Sequence, residues 1–203
     1  MKIGIVALEA RALFEPASQA RFGGAEWRAA TFAKGLAATG EHEITMVLGS
    51  LDPESARTVD GVRLVFDTTF PARRRRFPWL RWSRFRPSLL YEIPRAGLRR
   101  LRWGAPPWRV RVPSLAALEL DAVLCFGVNE VSATVLHSLA GSGARRVLFL
   151  ASDGDLDEAF VRGEGKAPYG VPGSLGRALL EDADALAVQR VGQQERLRER
   201  FDR

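Results

Sequence analysis

Short apolar runs alternate with amphipathic stretches along most of the chain. Several of the runs are rich in Val, Ile, Leu and Phe, as strands buried on both faces of a sheet are. The alternation predicts βαβ units, in which helices cover both faces of a parallel sheet. The predicted strands are Lys2–Ala7, Glu43–Leu48, Val62–Phe66, Ala122–Phe126, Arg146–Leu150 and Ala185–Gln189.

Helical patterns fill the gaps between these strands. The first, Gly24–Thr39, has apolar residues at helical spacing and is followed by Gly40, a suitable C-terminal glycine. Further helices are predicted at Asn129–Leu139, Leu175–Glu181 and Val191–Phe201. Long irregular connections in an α/β domain often carry function, and two are predicted, at Pro71–Pro113 and Ala151–Gly173.

Length and composition fit one globular domain that spans residues 1–203. Hydrophobic residues make up 46% and charged residues 27%, which excludes a disordered or fibrous chain. The single cysteine, Cys125, lies in an apolar run and is expected to be a buried hydrophobe. No run approaches the roughly 20 apolar residues of a transmembrane helix, and the apolar start is too short for a signal peptide. We therefore expect a cytoplasmic protein.

A glycine pair opens the first predicted helix, in the sequence Gly23-Gly24-Ala25-Glu26. Glycines let the backbone approach a ligand closely, and a helix N-terminus presents N–H groups and a positive dipole end to an anion. Gly23, Gly24 and Ala25 are thus candidates for a phosphate or diphosphate site, with a plain strand-to-helix turn as the alternative. The NAD fingerprint G-x-G-x-x-G and the P-loop motif are both absent.

The order of these features resembles the first half of family 4 glycosyltransferases of the GT-B fold. One part of the likeness is the opening strand, long loop, Gly-Gly-Ala-Glu and alanine-rich helix. The other parts are the loop Ser152–Asp157 and the ending Asp182–Gln189, which Gln193 and a charged helix follow. The resemblance covers nearly the whole chain except residues 70–113.

The resemblance implies a Rossmann-like, acceptor-side domain of a retaining sugar transferase, of the kind used in cell-envelope or polysaccharide synthesis. Gly23, Gly24 and Ala25 would face the diphosphate of the nucleotide-sugar co-substrate, which a second, donor-binding domain outside these residues would hold. No further cofactor and no metal would be required. The chain alone is then expected to turn over little or nothing.

Three acidic residues alternate just after the fifth predicted strand: Asp153, Asp155 and Asp157. Carboxylates could hold a divalent cation, but an acidic loop that caps a helix or faces solvent is favoured here, so no metal site is predicted. Many family 4 members have a histidine in this loop near the reacting sugar, where this chain has Ser152 and Asp153. Ligands of open α/β sheets bind at the carboxyl ends of strands. We therefore predict Asp153 as catalytic and, as acceptor-binding residues, Ser152, Asp153 and Asp155.

A basic, aromatic segment runs from Arg73 to Arg111, with thirteen arginines, one acid (Glu92) and four of the five tryptophans. Such a composition suits an anionic membrane surface, nucleic-acid phosphates with stacked bases, or a solvated arginine face whose aromatics join the core. The resemblance favours a membrane-borne or acidic acceptor, such as a lipid-linked sugar, over nucleic acid. We therefore predict peripheral association with the cytoplasmic face of a membrane, and the residues predicted to contact the membrane or another anionic partner are Arg73, Arg74, Arg75, Arg76, Trp79 and Trp82. The alternative function is a stand-alone basic module that binds anionic membrane or nucleic acid without catalysis.

Overall fold

A mostly parallel sheet of seven strands forms the centre of the computed structural model, which describes residues 1–18, 21–50, 52–70, 108–166 and 171–201. The strand order is β3-β4-β2-β1-β5-β6-β7, and among these pairs only β3 with β4 is antiparallel. The strands are Lys2–Val6 (β1), Glu43–Gly49 (β2), Arg57–Val59 (β3), Val62–Asp67 (β4), Ala122–Phe126 (β5), Arg145–Phe149 (β6) and Ala185–Ala187 (β7). The predicted Rossmann-like α/β fold is confirmed.

Helices connect the strands as the alternation predicts. In the described residues they are Gly24–Ala38 (α1), Pro113–Ala116 (α2), Glu130–Ser138 (α3), Glu158–Val161 (α4), Gly173–Asp182 (α5) and Val191–Phe201 (α6), with 3₁₀ turns at Ala10–Leu13 and Asp153–Leu156. Each of the four predicted helices and six predicted strands lies within two residues of its predicted bounds. In the described part of the chain, no helix has both the length and the apolar character needed to cross a bilayer.

Burial explains why the sheet has helices on both sides. The strand β2 is buried at every position after its first residue, as expected of a strand covered on both faces. On one side α1 presents Ala29, Ala30 and Ala33 to the sheet, and these small side chains bring the helix close. On the other side α3 and α5 pack apolar residues against the sheet, among them Leu136 and Leu179.

Cys125 is a buried member of this second core layer, as predicted. Burial raises the pKa of its thiol to about 12, so the thiolate is scarce near neutral pH.

Two elements differ from the sequence prediction. The strand β3 was not predicted, and it forms a hairpin with β4 through Asp60 and Gly61, both with positive φ (51° and 75°). Asp-Gly with this backbone is typical of two-residue hairpin turns. The segment Ala151–Gly173 was predicted to be irregular, yet it contains the 3₁₀ turn and α4, because Leu156 and Phe160 bury their side chains in the core.

The flanks of residues 71–107 are held together at the carboxyl end of β4. The buried Asp67 carboxylate accepts hydrogen bonds from the N–H groups of Thr69 (2.7 Å) and Phe70 (3.2 Å), and the Ser114 hydroxyl donates to its other oxygen. The Val112 N–H donates to the hydroxyl of Ser138 on α3 (2.9 Å). The chain that follows residues 71–107 is thus fixed both to the end of β4 and to the last turn of α3.

Helical glycines offer a paired test of this packing. A Cβ on Gly176 of α5 would collide with the buried ring of Phe160, whereas a Cβ on Gly35 of α1 would meet nothing within 4 Å. We expect Gly176→Ala to lower the free energy of unfolding by about 1–3 kcal/mol. Gly35→Ala should raise it by about 0.5–1 kcal/mol, because alanine favours the helix. Urea denaturation of both variants measures this, and equal effects would contradict the packing described.

Candidate functional site

The carboxyl edge of the sheet carries the candidate site. The central strands β1 and β5 are neighbours, while β2 lies beyond β1 and β6 beyond β5, so the chain winds outward in opposite directions from this pair. Connections that diverge in this way leave a crevice at the carboxyl ends of the central strands, where open α/β sheets bind ligands. The loops after β1, β5, β6 and β7 all end at this edge.

The N-terminus of α1 follows the loop after β1 and is open to solvent. Gly23 is the N-cap residue, and its N–H donates to the Glu26 carboxylate (2.9 Å). Gly24, Ala25 and Glu26 form the first turn, and their N–H groups have no hydrogen-bond acceptor within the helix. An added Cβ on Gly24 would meet nothing within 4 Å. Of the predicted residues, Gly24 and Ala25 thus present backbone donors, whereas the Gly23 N–H is already bonded to Glu26.

The loop after β1 is held in place by an ion-pair network. The Arg11 guanidinium binds both oxygens of the Glu54 carboxylate (2.6 and 2.9 Å) and also contacts Glu15 (2.7 Å). Arg57 of β3 pairs with Glu15 as well, and its guanidinium lies 4.4 Å from the centre of the Phe66 ring. These contacts join the loop to the β3–β4 hairpin.

The network lowers the pKa of both glutamates. Hydrogen bonds from the Ser50 hydroxyl (2.5 Å) and from Arg11 lower the pKa of Glu54. Burial alone would raise the pKa of Glu15, but hydrogen bonds from Arg57 and Arg11 outweigh it and lower that pKa below its usual range. Both carboxylates are therefore ionised in the folded protein at neutral pH.

The Asn129 side chain in the turn after β5 is hydrogen-bonded to the backbone of the turn and of the helix that follows. Gly127 has a φ of +83°, and an added Cβ would lie 3.6 Å from Ala151 in the neighbouring turn. The Asn129 side chain accepts from the Ser132 N–H (2.9 Å) and donates to the carbonyl of Phe126 (3.1 Å). These hydrogen bonds connect the end of β5 to the first turn of α3.

The turn after β6 depends on Asp155. Its buried carboxylate accepts hydrogen bonds from the N–H groups of Ala151 (2.7 Å) and Ser152 (2.9 Å). A carboxylate that faces the backbone in this way fixes the exit of the strand. Ser152 and Asp153 remain exposed, and the Asp153 carboxylate lies 3.5 Å from the Arg190 guanidinium. The three predicted acceptor-binding residues therefore lie together, but only Ser152 and Asp153 face outward.

A cleft of about 260 Å³ opens between this turn and the start of α6. The Gln189 side chain lines it and is held by a hydrogen bond from its amide to the carbonyl of Leu150 (2.7 Å). The Gln193 side-chain carbonyl accepts from the Gln189 N–H (2.9 Å), and Gln193 is only 2% exposed. The lining residues are Ala151, Ser152, Asp153, Gln189, Arg190 and Gln193.

Gln189, Arg190 and Gln193 were not predicted as site residues. The signal in the sequence was the Gln-x-x-x-Gln spacing at the end of the last strand, which places the second glutamine one helical turn beyond the first. The predicted membrane contacts Arg73–Arg76, Trp79 and Trp82 lie outside the described residues. Among the residues that are described, no group of three or more His, Cys, Asp or Glu side chains could hold a metal ion.

Comparisons with known proteins bear on the fold. Neither a protein-family model nor a curated protein sequence matches the chain. The chain is similar to sucrose-phosphate synthase from Thermosynechococcus elongatus, with a TM-score of 0.54 and 13% identity over 99% of this chain and 45% of that one. The chain thus spans less than half the length of that synthase. A match to O-ureido-L-serine synthase has a TM-score of only 0.23 at 16% identity and carries no argument. The first likeness shows the fold alone, a Rossmann-like domain of the kind that this synthase contains.

The ion-pair network predicts a pH-dependent contribution to stability. Because the pKa of Glu54 is lowered in the fold, its stabilisation is fully present above its ordinary value of 4.5 and is lost as pH falls through the lowered value. At pH 7 we expect Glu54→Gln to reduce the free energy of unfolding by about 1 kcal/mol. The difference from the parent protein should shrink towards pH 3.

The matched control is Glu181→Gln, which removes one carboxylate from an exposed pair with Arg177 on α5. Its effect should be small at every pH, since exposed pairs are screened by solvent. Urea denaturation between pH 3 and pH 7 measures both variants. A Glu54 effect that does not change with pH would contradict the network.

Proposed function

We propose that this chain is the acceptor-side domain of a retaining glycosyltransferase of the family 4 type, which moves a sugar from a nucleotide-sugar donor to a membrane-borne or acidic acceptor. The observation that carries the proposal is the open N-terminus of α1, with its glycine pair, at the crevice edge of a Rossmann-like sheet. The fold likeness to sucrose-phosphate synthase supports the same proposal.

The donor diphosphate would meet the first turn of α1. The N–H groups of Gly24, Ala25 and Glu26 and the positive end of a 15-residue helix favour a negatively charged group there. The large apolar side chains of Phe22 and Trp27 flank the glycines and are 47% and 55% exposed, which suits a surface that a second domain covers. That domain would hold the nucleoside.

The acceptor would lie nearer to the turn after β6. Asp153 has an exposed carboxylate that could accept a hydrogen bond from the hydroxyl to be glycosylated, and Ser152 lies beside it. Its distance of 3.5 Å from Arg190 makes a loose pair that a ligand can separate. We assign Asp153 the catalytic position on this basis.

A basic binding module without catalysis is the second candidate function. The observation in its favour is the run of thirteen arginines between Arg73 and Arg111, on either side of which Asp67 and Ser114 are hydrogen-bonded to each other. In a transferase the same segment would bring the crevice to an anionic membrane that carries the acceptor.

The diphosphate proposal predicts a local response in the amide spectrum of ¹⁵N-labelled protein. Titration with UDP, GDP or ADP at millimolar concentration should shift the amides of Gly24, Ala25 and Glu26. Gly24→Leu should weaken this binding about tenfold by blocking the close approach. Gly35→Leu, on the same helix with similarly open space, should leave it unchanged. If no nucleotide shifts these amides, or if Gly24→Leu binds like the parent, the donor assignment is wrong.

The membrane proposal predicts salt-sensitive binding to lipid vesicles. The chain should co-sediment with anionic vesicles at low salt, less at high salt, and not with neutral vesicles. Replacement of Arg73–Arg76 by serine should abolish the binding. The control replaces four arginines elsewhere by serine and should retain it: Arg145, Arg177, Arg196 and Arg198. Absence of binding to any vesicle would rule out the membrane association and leave a soluble, acidic acceptor as the proposal.

A further inference from the structure

Gln193 has a buried side-chain amide, and the described structure provides a hydrogen-bond partner for its oxygen only. Its carbonyl oxygen accepts from the Gln189 N–H, which fixes the orientation of the amide because that position requires an acceptor. The Nε2 group therefore carries two N–H donors, and no acceptor for them occurs among the described residues. A buried donor without an acceptor is costly, so a native structure that keeps one needs a reason.

The position of Gln193 supplies that reason, because the residue lines the cleft after β6. Its backbone is held by the bond from its own N–H to the Arg190 carbonyl (3.1 Å), and its side chain by Gln189. Gln189 is in turn anchored on Leu150. The free donors are thus carried by a side chain whose place is already set, as a binding residue requires.

The other cleft residues supply both hydrogen-bond donors and acceptors. Ser152 has a hydroxyl that can donate and accept, Asp153 has an acceptor carboxylate, and Arg190 has an exposed donor. The charges of Asp153 and Arg190 cancel. A carboxylate in the cleft disfavours an anionic group, while the polar lining disfavours an apolar one. Sugar hydroxyls, which donate and accept at once, match this set.

We propose that the cleft binds a neutral hydroxylated ring, the sugar or polyol moiety of the acceptor, and that Gln193 is its principal binding residue. The Gln193 Nε2 donates to a ring or hydroxyl oxygen, and Asp153 accepts from a hydroxyl on the same ring. The volume of about 260 Å³ is below the range of about 300–1,000 Å³ typical of drug-sized ligands, which suits one ring rather than a chain. This inference rests on the proposed function only in calling the ligand an acceptor. The hydrogen-bonding argument comes from the cleft residues alone.

The test uses a variant that keeps the oxygen of the amide and replaces its free NH₂ group. Gln193→Glu keeps an oxygen for the Gln189 N–H and removes both Nε2 donors. Gln194→Glu is the matched control, since it makes the same charge change at the next residue, which is exposed. Gln193→Met serves as a second, uncharged variant of similar length, and the amide spectrum of each variant shows whether it is folded.

The probes are methyl α-glucopyranoside, methyl α-mannopyranoside, methyl α-galactopyranoside and myo-inositol, titrated at millimolar concentration into ¹⁵N-labelled protein. At least one should shift the amides of Ser152, Asp153 and Arg190. Gln193→Glu and Gln193→Met should each weaken that binding about tenfold or more, and Gln194→Glu should not. Failure of all four probes, or equal binding by the Gln193 variants, overturns the proposal.

Two further arms separate this inference from others. If inorganic phosphate shifts the same amides while the neutral probes do not, the cleft binds an anion and the proposal is wrong. Sugar binding without nucleotide effects at Gly24 would retain this inference and remove the donor site. Nucleotide effects at Gly24 without sugar binding would do the reverse.

Discussion

The pairing of β1 with β5 determines where a ligand can bind this chain. Residues Ile3–Val6 lie in register with Ala122–Cys125, and the chain winds away from this pair in both directions. Because all strands but β3 are parallel, their carboxyl ends meet at one edge. This arrangement brings the open α1 terminus, the turn after β6 and the start of α6 to that edge.

Polar side chains at this edge have two different uses. Asp155 and Asn129 hydrogen-bond to backbone groups of the turns, and Asp67 binds backbone groups together with the Ser114 hydroxyl. Asp153 and the Gln193 amide retain capacity that the described structure does not use. The distinction separates residues that shape the crevice from those that can meet a ligand. It also explains why three alternating aspartates do not act as one cluster, since Asp155 faces the backbone.

Much of the fold could be predicted because buried parallel strands appear in the sequence as continuous apolar runs, such as Ala122–Phe126. The strand β3 has three residues and no buried position, so hydrophobicity alone could not indicate it, although Asp60-Gly61 is a hairpin signal. The 3₁₀ turn after β6 depends on the Asp155 carboxylate, a contact with backbone that periodicity does not show. Gln193 looks like any surface glutamine until α6 places it against the cleft.

The most direct test of the account is a crystal structure of this chain soaked with UDP and a neutral methyl hexoside together. We expect diphosphate density at the N–H groups of Gly24 and Ala25, and a sugar ring within hydrogen-bond distance of the Gln193 amide. Both ligands would then lie on the carboxyl edge of one sheet. Ligand density at the amino edge, or on the helical faces with the crevice left empty, would contradict the assignment of this edge as the site.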